Sequence, residues 1–293
     1  MPWGTASTDR SPAPRKTTQQ HLYTWVSAAE RAVMYLRAIH ADATTPMLRQ
    51  LIRDNPLGVL TTAIPSKTYP LIQSSHIPFL LDVNDQDSET ELGVLRGHLA
   101  RQNPQSKAII DALQSQPDTG SRGSTLEQEV MVLFTSPVHH YVTPKFYTET
   151  KPGSGKVVPT WNYAAAQAYG RARVFYDADA DESAAFLSRQ IDDLSRYAER
   201  SIMGYTGAGD RPEAWKVADA PPQYVQLMQK NIIGIEITID RLEGKFKMSQ
   251  EVRQGDRDGV IQGFERLGSE VGQHMAELVR ERGHLKESAS RSS

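Results

Sequence analysis

None of the 293 positions is a cysteine. That absence excludes disulfides, thiolate nucleophiles, iron–sulfur clusters and thiolate zinc sites. Long apolar runs are absent as well: nothing approaches the roughly 20 residues that span a bilayer, and the start of the chain lacks the apolar block of a secretory signal. Charge of one sign is not in excess, since 33 basic residues face 35 acidic ones for a net charge of -2. A dedicated nucleic-acid binder carries a strongly basic field, so the composition does not support direct DNA binding. Neither an HExxH pair nor a GxSxG elbow occurs, which leaves metalloprotease and serine-hydrolase readings without a motif. A soluble, non-secreted, cytoplasmic protein is expected.

What the chain does contain is 39% hydrophobic and 23% charged residues, enough for a sizeable core in one large domain or two small ones. The first twenty residues, rich in Ser, Thr and Pro, read as a disordered tail. Leu22, Trp25, Val26, Ala29, Val33 and Leu36 recur at helical spacing, as a docking helix, an extension or an amphipathic organelle-targeting peptide would. Residues 1–33 are therefore expected to be an N-terminal extension, 34–283 one domain, and 284–293 a disordered tail. "TTPMLRQLIRDN" predicts a helix capped by Thr45 with Pro46 in its first turn. "LGVLTTAI", "PLIQSSHIPFLLDV" and "LGVLRGHLA" read as strands of an antiparallel meander. Asn103-Pro104 opens a helix, "EVMVLFTSPVHHYV" is a strand, and the segment from Val157 runs extended through Val174 and Tyr176. A helix is expected from Asp181 to Met203. Ile233, Ile235, Ile237 and Ile239 alternate with polar residues as a half-buried strand, with a turn at Glu243-Gly244. The last helix, about Asp256 to Arg282, carries an apolar seam of Val260, Phe264, Leu267, Val271, Met275 and Leu278. Several strands with few helices between them argue for an antiparallel sheet closing on itself.

Three stretches carry polar groups in patterns that chemistry uses. In "RGHLARQNPQSK" the cations Arg96 and Arg101 and the imidazole of His98 stand beside a helix N-terminus, an arrangement that holds phosphate. Solvated edge charges with a core histidine are the alternative. "EGKFKMSQ" offers Lys245, Lys247, Ser249 and Gln250 as a second polar group, or as an exposed basic strand end. In "VVPTWNY", Pro159 sets a rigid extended entry, and Trp161, Asn162 and Tyr163 behind it either line a ligand site or fill a core. "GSGK" at Gly153 to Lys156 lacks the spacing of a nucleotide loop and reads as a linker. His139 and His140 are adjacent on a strand and point to opposite faces, so no metal site is expected.

"MYLRAIHADATTPMLRQLIRDNPLGVL", "GHLARQNPQ", "HYVTPKFYTETKPGSGKVVPTWNYAAAQAYG" and "IIGIEITIDRLEGKFKMSQ", in this order, resemble the PaiB family of FMN-binding split-barrel negative transcriptional regulators. The resemblance runs from about Met34 to the final helix. It implies an α+β fold, an antiparallel split β-barrel with peripheral helices related to pyridoxamine-phosphate-oxidase-like flavoproteins. It further implies a homodimer with FMN at the subunit interface. On that likeness Thr160, Trp161 and Asn162 line the flavin or substrate pocket, while His98, Arg101 and Lys107 approach the cofactor phosphate. A regulatory role follows from the family name, with a nuclear location if it holds, and a flavin-dependent oxidoreductase acting on a small molecule is the alternative. The chain departs from bacterial members at "SPVHHYVTP", one residue longer than their Gly-Pro-His-Ala-Tyr-Ile-Ser-Pro. The residues before Met34 and the loop from Gln114 to Glu127 read as additions that suit a fungal member.

Overall fold

Alternation of isoleucine with polar residues demands a strand with one face dry, and in the computed structural model of the protein Ile233, Ile235, Ile237 and Ile239 are all core residues. The structure describes residues 37–42, 44–116 and 125–291. The expected tail and helix before Met34 and the tip of the loop after Gln114 lie outside the described residues.

Nine strands form the frame: β1 Ala41–Asp42, β2 Leu57–Ala63, β3 Ile72–Pro78, β4 Leu80–Asp82, β5 Val94–Ala100, β6 Thr125–Thr135, β7 His140–Val142, β8 Thr160–Phe175 and β9 Ile232–Lys247. The helices are α1 Thr45–Asp54, α2 Pro104–Ser115, α3 Thr150–Ser154, α4 Asp181–Tyr197, α5 Pro222–Lys230, α6 Gln254–Glu265 and α7 Glu270–Arg291. Hydrogen bonding orders the main sheet β3-β2-β6-β8-β9-β5-β4, with β1 added to β9 and β7 to β8. Every pairing is antiparallel. The path is not closed, yet its two end strands, β3 and β4, are successive segments separated only by Phe79. The chain itself thus ties the ends together, and the result is an α+β antiparallel split barrel with peripheral helices. Leu60, Leu95, Val132, Phe134, Ala166, Ala168, Ile235 and Ile237 fill it. The long strands β8 and β9, which pair from Tyr163↔Lys247 to Phe175↔Gly234, are its spine.

Several local expectations change. The three early strands do not form a meander: β2 pairs with β3 and β4 with β5, but β5 then joins β9 while β2 joins β6. The cause is long-range pairing, which local pattern does not encode. Phe79, buried in the core, breaks the second expected strand in two. Helix α1 begins at Thr45 after Thr44, and no side chain caps it. Glu243-Gly244 is not a turn, because Gly244 pairs with both Ala166 of β8 and Asp42 of β1 and the strand continues to Lys247. The last helix is two helices: Gly268 takes a left-handed φ of 65° at the turn between α6 and α7. Val260, Phe264 and Met275 of the seam are buried, whereas Leu267 and Val271 beside that turn are exposed. Helix α7 continues through Arg291, across the boundary at residue 283 where a disordered tail was expected. The segment from Lys145 to Lys156, expected as loop, holds the single-turn helix α3 and ends at Gly155, φ 67°. No helix of the described residues is long and apolar enough to cross a membrane.

Candidate functional site

Asn103 caps α2 as its type predicts: the side chain accepts from Gln105 N at 2.9 Å, and Pro104 occupies the first turn. The same amide donates from Nδ2 to Ser75 Oγ at 2.9 Å, which fastens the helix start to β3. Between them opens a cleft of about 600 Å³ lined by Gln73, Ser74, Ser75, Asn103, Pro104 and Gln105. Strand β3 is an end of the hydrogen-bonded path, so its outer edge offers backbone groups that no strand among the described residues takes. Gln105 is 1% exposed and donates from Nε2 to Leu60 O, Thr62 Oγ1 and Gln73 O, while its Oε1 receives no donor. Gln73 Nε2 is likewise buried without a partner. Lys107 stands one turn beyond Asn103 on the same side of α2, half-buried.

These features fit a flavin mononucleotide. An unspent amide donor, a lysine and the positive end of a twelve-residue helix suit a phosphate, and a free strand edge suits the polar rim of a flavin ring. The residues that would hold the group here are Gln73, Ser75 and Lys107, the Gln105 amide being spent on the wall itself. Sequence reasoning missed Gln73 and Ser75, because β3 carries no charge or Gly-rich motif to draw attention.

The other two members of the expected phosphate group have different surroundings. Arg101 donates from Nε to Lys230 O at 3.0 Å and from Nη2 to Ile232 O at 3.3 Å, pinning the α5–β9 junction to the end of β5. His98 shares a face of β5 with Arg96, opposite the core residues Leu95 and Leu99, and its Nδ1 is buried without a partner. Burial lowers its pKa below the usual histidine range. Arg96 is neither a solvated edge charge nor a ligand group. It is 3% exposed and bonds Asp82 (Nε to Oδ2 2.5 Å), Asp193 (3.0 Å) and Gln190 Oε1 (3.1 Å), joining β5 to β4 and α4. Burial works against its charge, but those two carboxylates outweigh it and raise its pKa.

A second cluster forms where β8 begins and β9 ends, thirteen residues along β9 from the strand position opposite His98. Lys247 Nζ donates to Thr160 Oγ1 at 2.5 Å and to Trp161 O at 3.1 Å, with Glu251 Oε1 at 3.5 Å. Asn162 is fully buried and accepts from Ser249 Oγ at 3.1 Å, leaving its Nδ2 without a partner. Ser249 reaches that oxygen from a left-handed φ of 58°, a conformation costly for a residue other than glycine. Gln250 is also internal: it accepts from Met248 N and donates to Ile39 O and Phe246 O. Trp161 is 49% exposed, with Nε1 donating to His139 Nδ1 at 3.3 Å and the ring edge-on to Tyr141. His140 packs edge-on against Phe264, so the adjacent histidines do part company. Lys245 lies 5.5 Å from the Tyr163 ring. Behind the cluster His40 is 2% exposed with both ring nitrogens unpartnered. Burial lowers its pKa and the cations Lys247, Arg37 and Lys245 assist, against the opposing pull of Glu251. Among the described residues no group of three His, Asp or Glu side chains is placed to hold a metal.

The structure thus brings Thr160, Trp161 and Asn162 together with Lys247 and Ser249, and leaves Lys107 apart from them, one helical turn along α2 from the cleft-lining Asn103. Three of the four segments that carry the family resemblance meet at the second cluster, through His40, Asn162 and Ser249.

Comparison with known proteins gives the chain a family. Residues 34–241 match the family model described as "Putative FMN-binding domain". An uncharacterized protein of Aspergillus fumigatus is 60% identical over 260 residues, covering 87% of this chain and 99% of its own length. Another, of Emericella nidulans, is 62% identical over 255 residues, covering 87% and 99%. Their similarity agrees with the expected fungal membership. The protease synthase and sporulation protein PAI 2 of Bacillus subtilis is 23% identical over 249 residues, covering 85% of this chain and 98% of its own. FMN is the cofactor that the matched model names, and by that match the chain belongs to the FMN-binding domain family that includes residues 34–241.

Proposed function

We propose that the protein binds FMN in the cleft between β3 and α2, as a homodimer, and serves as a PaiB-like negative regulator whose state follows flavin or effector occupancy. The observation that carries the binding step is the unspent Gln73 amide at a free strand edge, beside the capped start of α2. Lys107 supplies a cation for phosphate, and Gln105 holds the cleft wall through its three donated bonds. When bound, FMN supplies electron or hydride transfer.

Two features favour the homodimer. The Lys107 and Thr160–Asn162 groups stand toward opposite ends of the long β8–β9 ribbon, so if both serve one flavin, they come from different subunits. In addition, the outward face of the β2-β6-β8-β9 sheet carries half-buried Val59, Met131 and Leu133 and a Glu243 oxygen that is buried without a partner. A self-complementary contact across this face would cover the first three and give the last a donor. Trp161, half exposed at the end of β8, offers a face for a planar ring.

A flavin-dependent oxidoreductase is the second reading, favoured by the redox chemistry of the cofactor itself. The visible spectrum of purified protein titrated with FMN, then challenged with reduced nicotinamide cofactor, separates the two. Bound flavin that stays oxidised supports the regulator; bleaching supports the oxidoreductase; an unperturbed free-flavin spectrum overturns FMN binding.

A further inference from the structure

A cavity of about 420 Å³ lies between the α3 loop, the entry to β8 and the turn after β9, and Tyr147, Lys156, Lys247, Glu251, Arg253 and Asp256 are among its walls. Their commitments differ. Asp256 accepts from the backbone N–H groups of Glu149 and Thr150, both at 2.9 Å, and from the Thr150 hydroxyl, so it serves the local fold. The ammonium of Lys247 is spent on Thr160, Trp161 and one oxygen of Glu251. The other oxygen of Glu251, Oε2, is buried and has no hydrogen-bond partner. Toward solvent stand Lys156, exposed and without a carboxylate partner among the described residues, and Arg253, three-quarters exposed and holding Glu149 at 3.3 Å. The cavity wall therefore includes a carboxylate with one unsatisfied oxygen and two cations that stay exposed to solvent.

Buried carboxylate oxygens in folded proteins are almost always hydrogen-bonded, so one left over in a cavity wall marks a place for a donor. A ligand that supplies that donor next to an anionic group satisfies both halves of the site. We propose that this cavity binds a small α-amino or α-hydroxy acid, with its ammonium or hydroxyl donating to Glu251 and its carboxylate facing Lys156 and Arg253. Tyr147, whose hydroxyl burial keeps protonated with help from Glu251 and Asp256, is a further donor at the wall. The cavity lies apart from the β3–α2 cleft of the same subunit, with Thr160 and Lys247 in its wall.

The test uses the full chain in isothermal titration and thermal unfolding, with the twenty amino acids and with lactate, glycerate and malate, each added singly. At least one of these acids is expected to bind and to raise the melting temperature; whether it is an amino or a hydroxy acid identifies the donor. Glu251→Gln should then weaken binding about tenfold, since a charge-assisted bond becomes a neutral one. Lys156→Ala, at an exposed position that does not threaten folding, should weaken it several-fold. FMN titration of Lys156→Ala should match the parent. The proposal is overturned if no acid binds at about 10 mM, or if both variants bind the acid as the parent does. Loss of FMN affinity in Glu251→Gln would assign this corner to the flavin and overturn it as well, whereas failure of the parent to bind FMN would leave the acid titrations to be read on their own.

Discussion

At Arg96 a strand-borne cation meets two carboxylates and an amide inside the protein instead of a ligand. Taking guanidinium out of water is costly, and only the geometry of Asp82, Asp193 and Gln190 offsets it. Removing it leaves Asp82 and Asp193 to the more exposed Arg189, which reaches them at 3.2 and 3.5 Å, and to Arg196. Arg96→Ala should therefore lower unfolding free energy by roughly 3 kcal/mol, near the low end for a buried pair broken on one side because both aspartates keep some water. Urea denaturation measures this, and a loss below about 1 kcal/mol would place the network among ordinary surface pairs. Lys107 makes the opposite case. It holds no partner that the fold needs, so Lys107→Ala should weaken FMN binding several-fold at unchanged stability, read by flavin fluorescence quenching alongside the melting temperature. Unchanged affinity would remove Lys107 from the phosphate site.

At the scale of elements, the α6 helix shows packing overruling propensity. An alanine Cβ at Gly259 would lie 2.1 Å from the carbonyl oxygen of Phe146, a backbone atom that cannot step aside alone. Gly→Ala inside a helix gains about 1 kcal/mol in an isolated peptide. Here overpacking of about 1–3 kcal/mol opposes that gain, so Gly259→Ala should be destabilising overall, with the 144–150 segment shifted in a crystal structure of the variant. A higher melting temperature would show that α6 moves freely against that segment. The start of α2 is a milder case: Asn103→Ala loses both the cap and the tie to Ser75 and should cost about 1–2 kcal/mol. The same change should loosen the cleft wall and weaken FMN binding with it.

For the whole molecule, two histidines with buried ring nitrogens set an acid limit. His40 and His98 both have pKa values lowered by burial, below the value near 6.5 they regain on unfolding. In the window between folded and unfolded values the unfolded chain binds more protons, so stability falls as pH drops below about 6.5. Asp256 works in the same direction at lower pH: its carboxyl, desolvated but held low by Thr150 and Glu149, contributes stability that is lost only in stronger acid. Urea midpoints between about pH 7 and pH 5 should decline, and His98→Gln should flatten the decline. An equal slope in the variant would exclude His98 as a source. The proposed homodimer makes its own prediction at this scale. Sedimentation should give twice the chain mass, and Leu133→Glu on the outer sheet face should halve it with the far-UV spectrum intact.

Sequence alone determined the parts whose cause is local. Side-chain alternation in β9, the Asn103-Pro104 start of α2 and the acid-led start of α4 at Asp181 follow from period and capping, and each appears where its residues demand, whereas the stretch before Met203, expected as the same helix, is a π-helical turn over Ala198–Ile202. The order of four quoted segments determined the family and so the split barrel and FMN. What only the tertiary structure decided depends on partners far along the chain. Pairing of β5 with β9 and not with β3, the burial of Arg96 against α4, and the commitment of Arg101 to the carbonyls of 230 and 232 are contacts between segments whose spacing in sequence carries no signal. The same holds for the polar groups left unpaired at Gln73, His40 and Glu251. A residue type states what a side chain can bond, but whether that capacity is spent is decided by which neighbours folding brings within 3 Å or so.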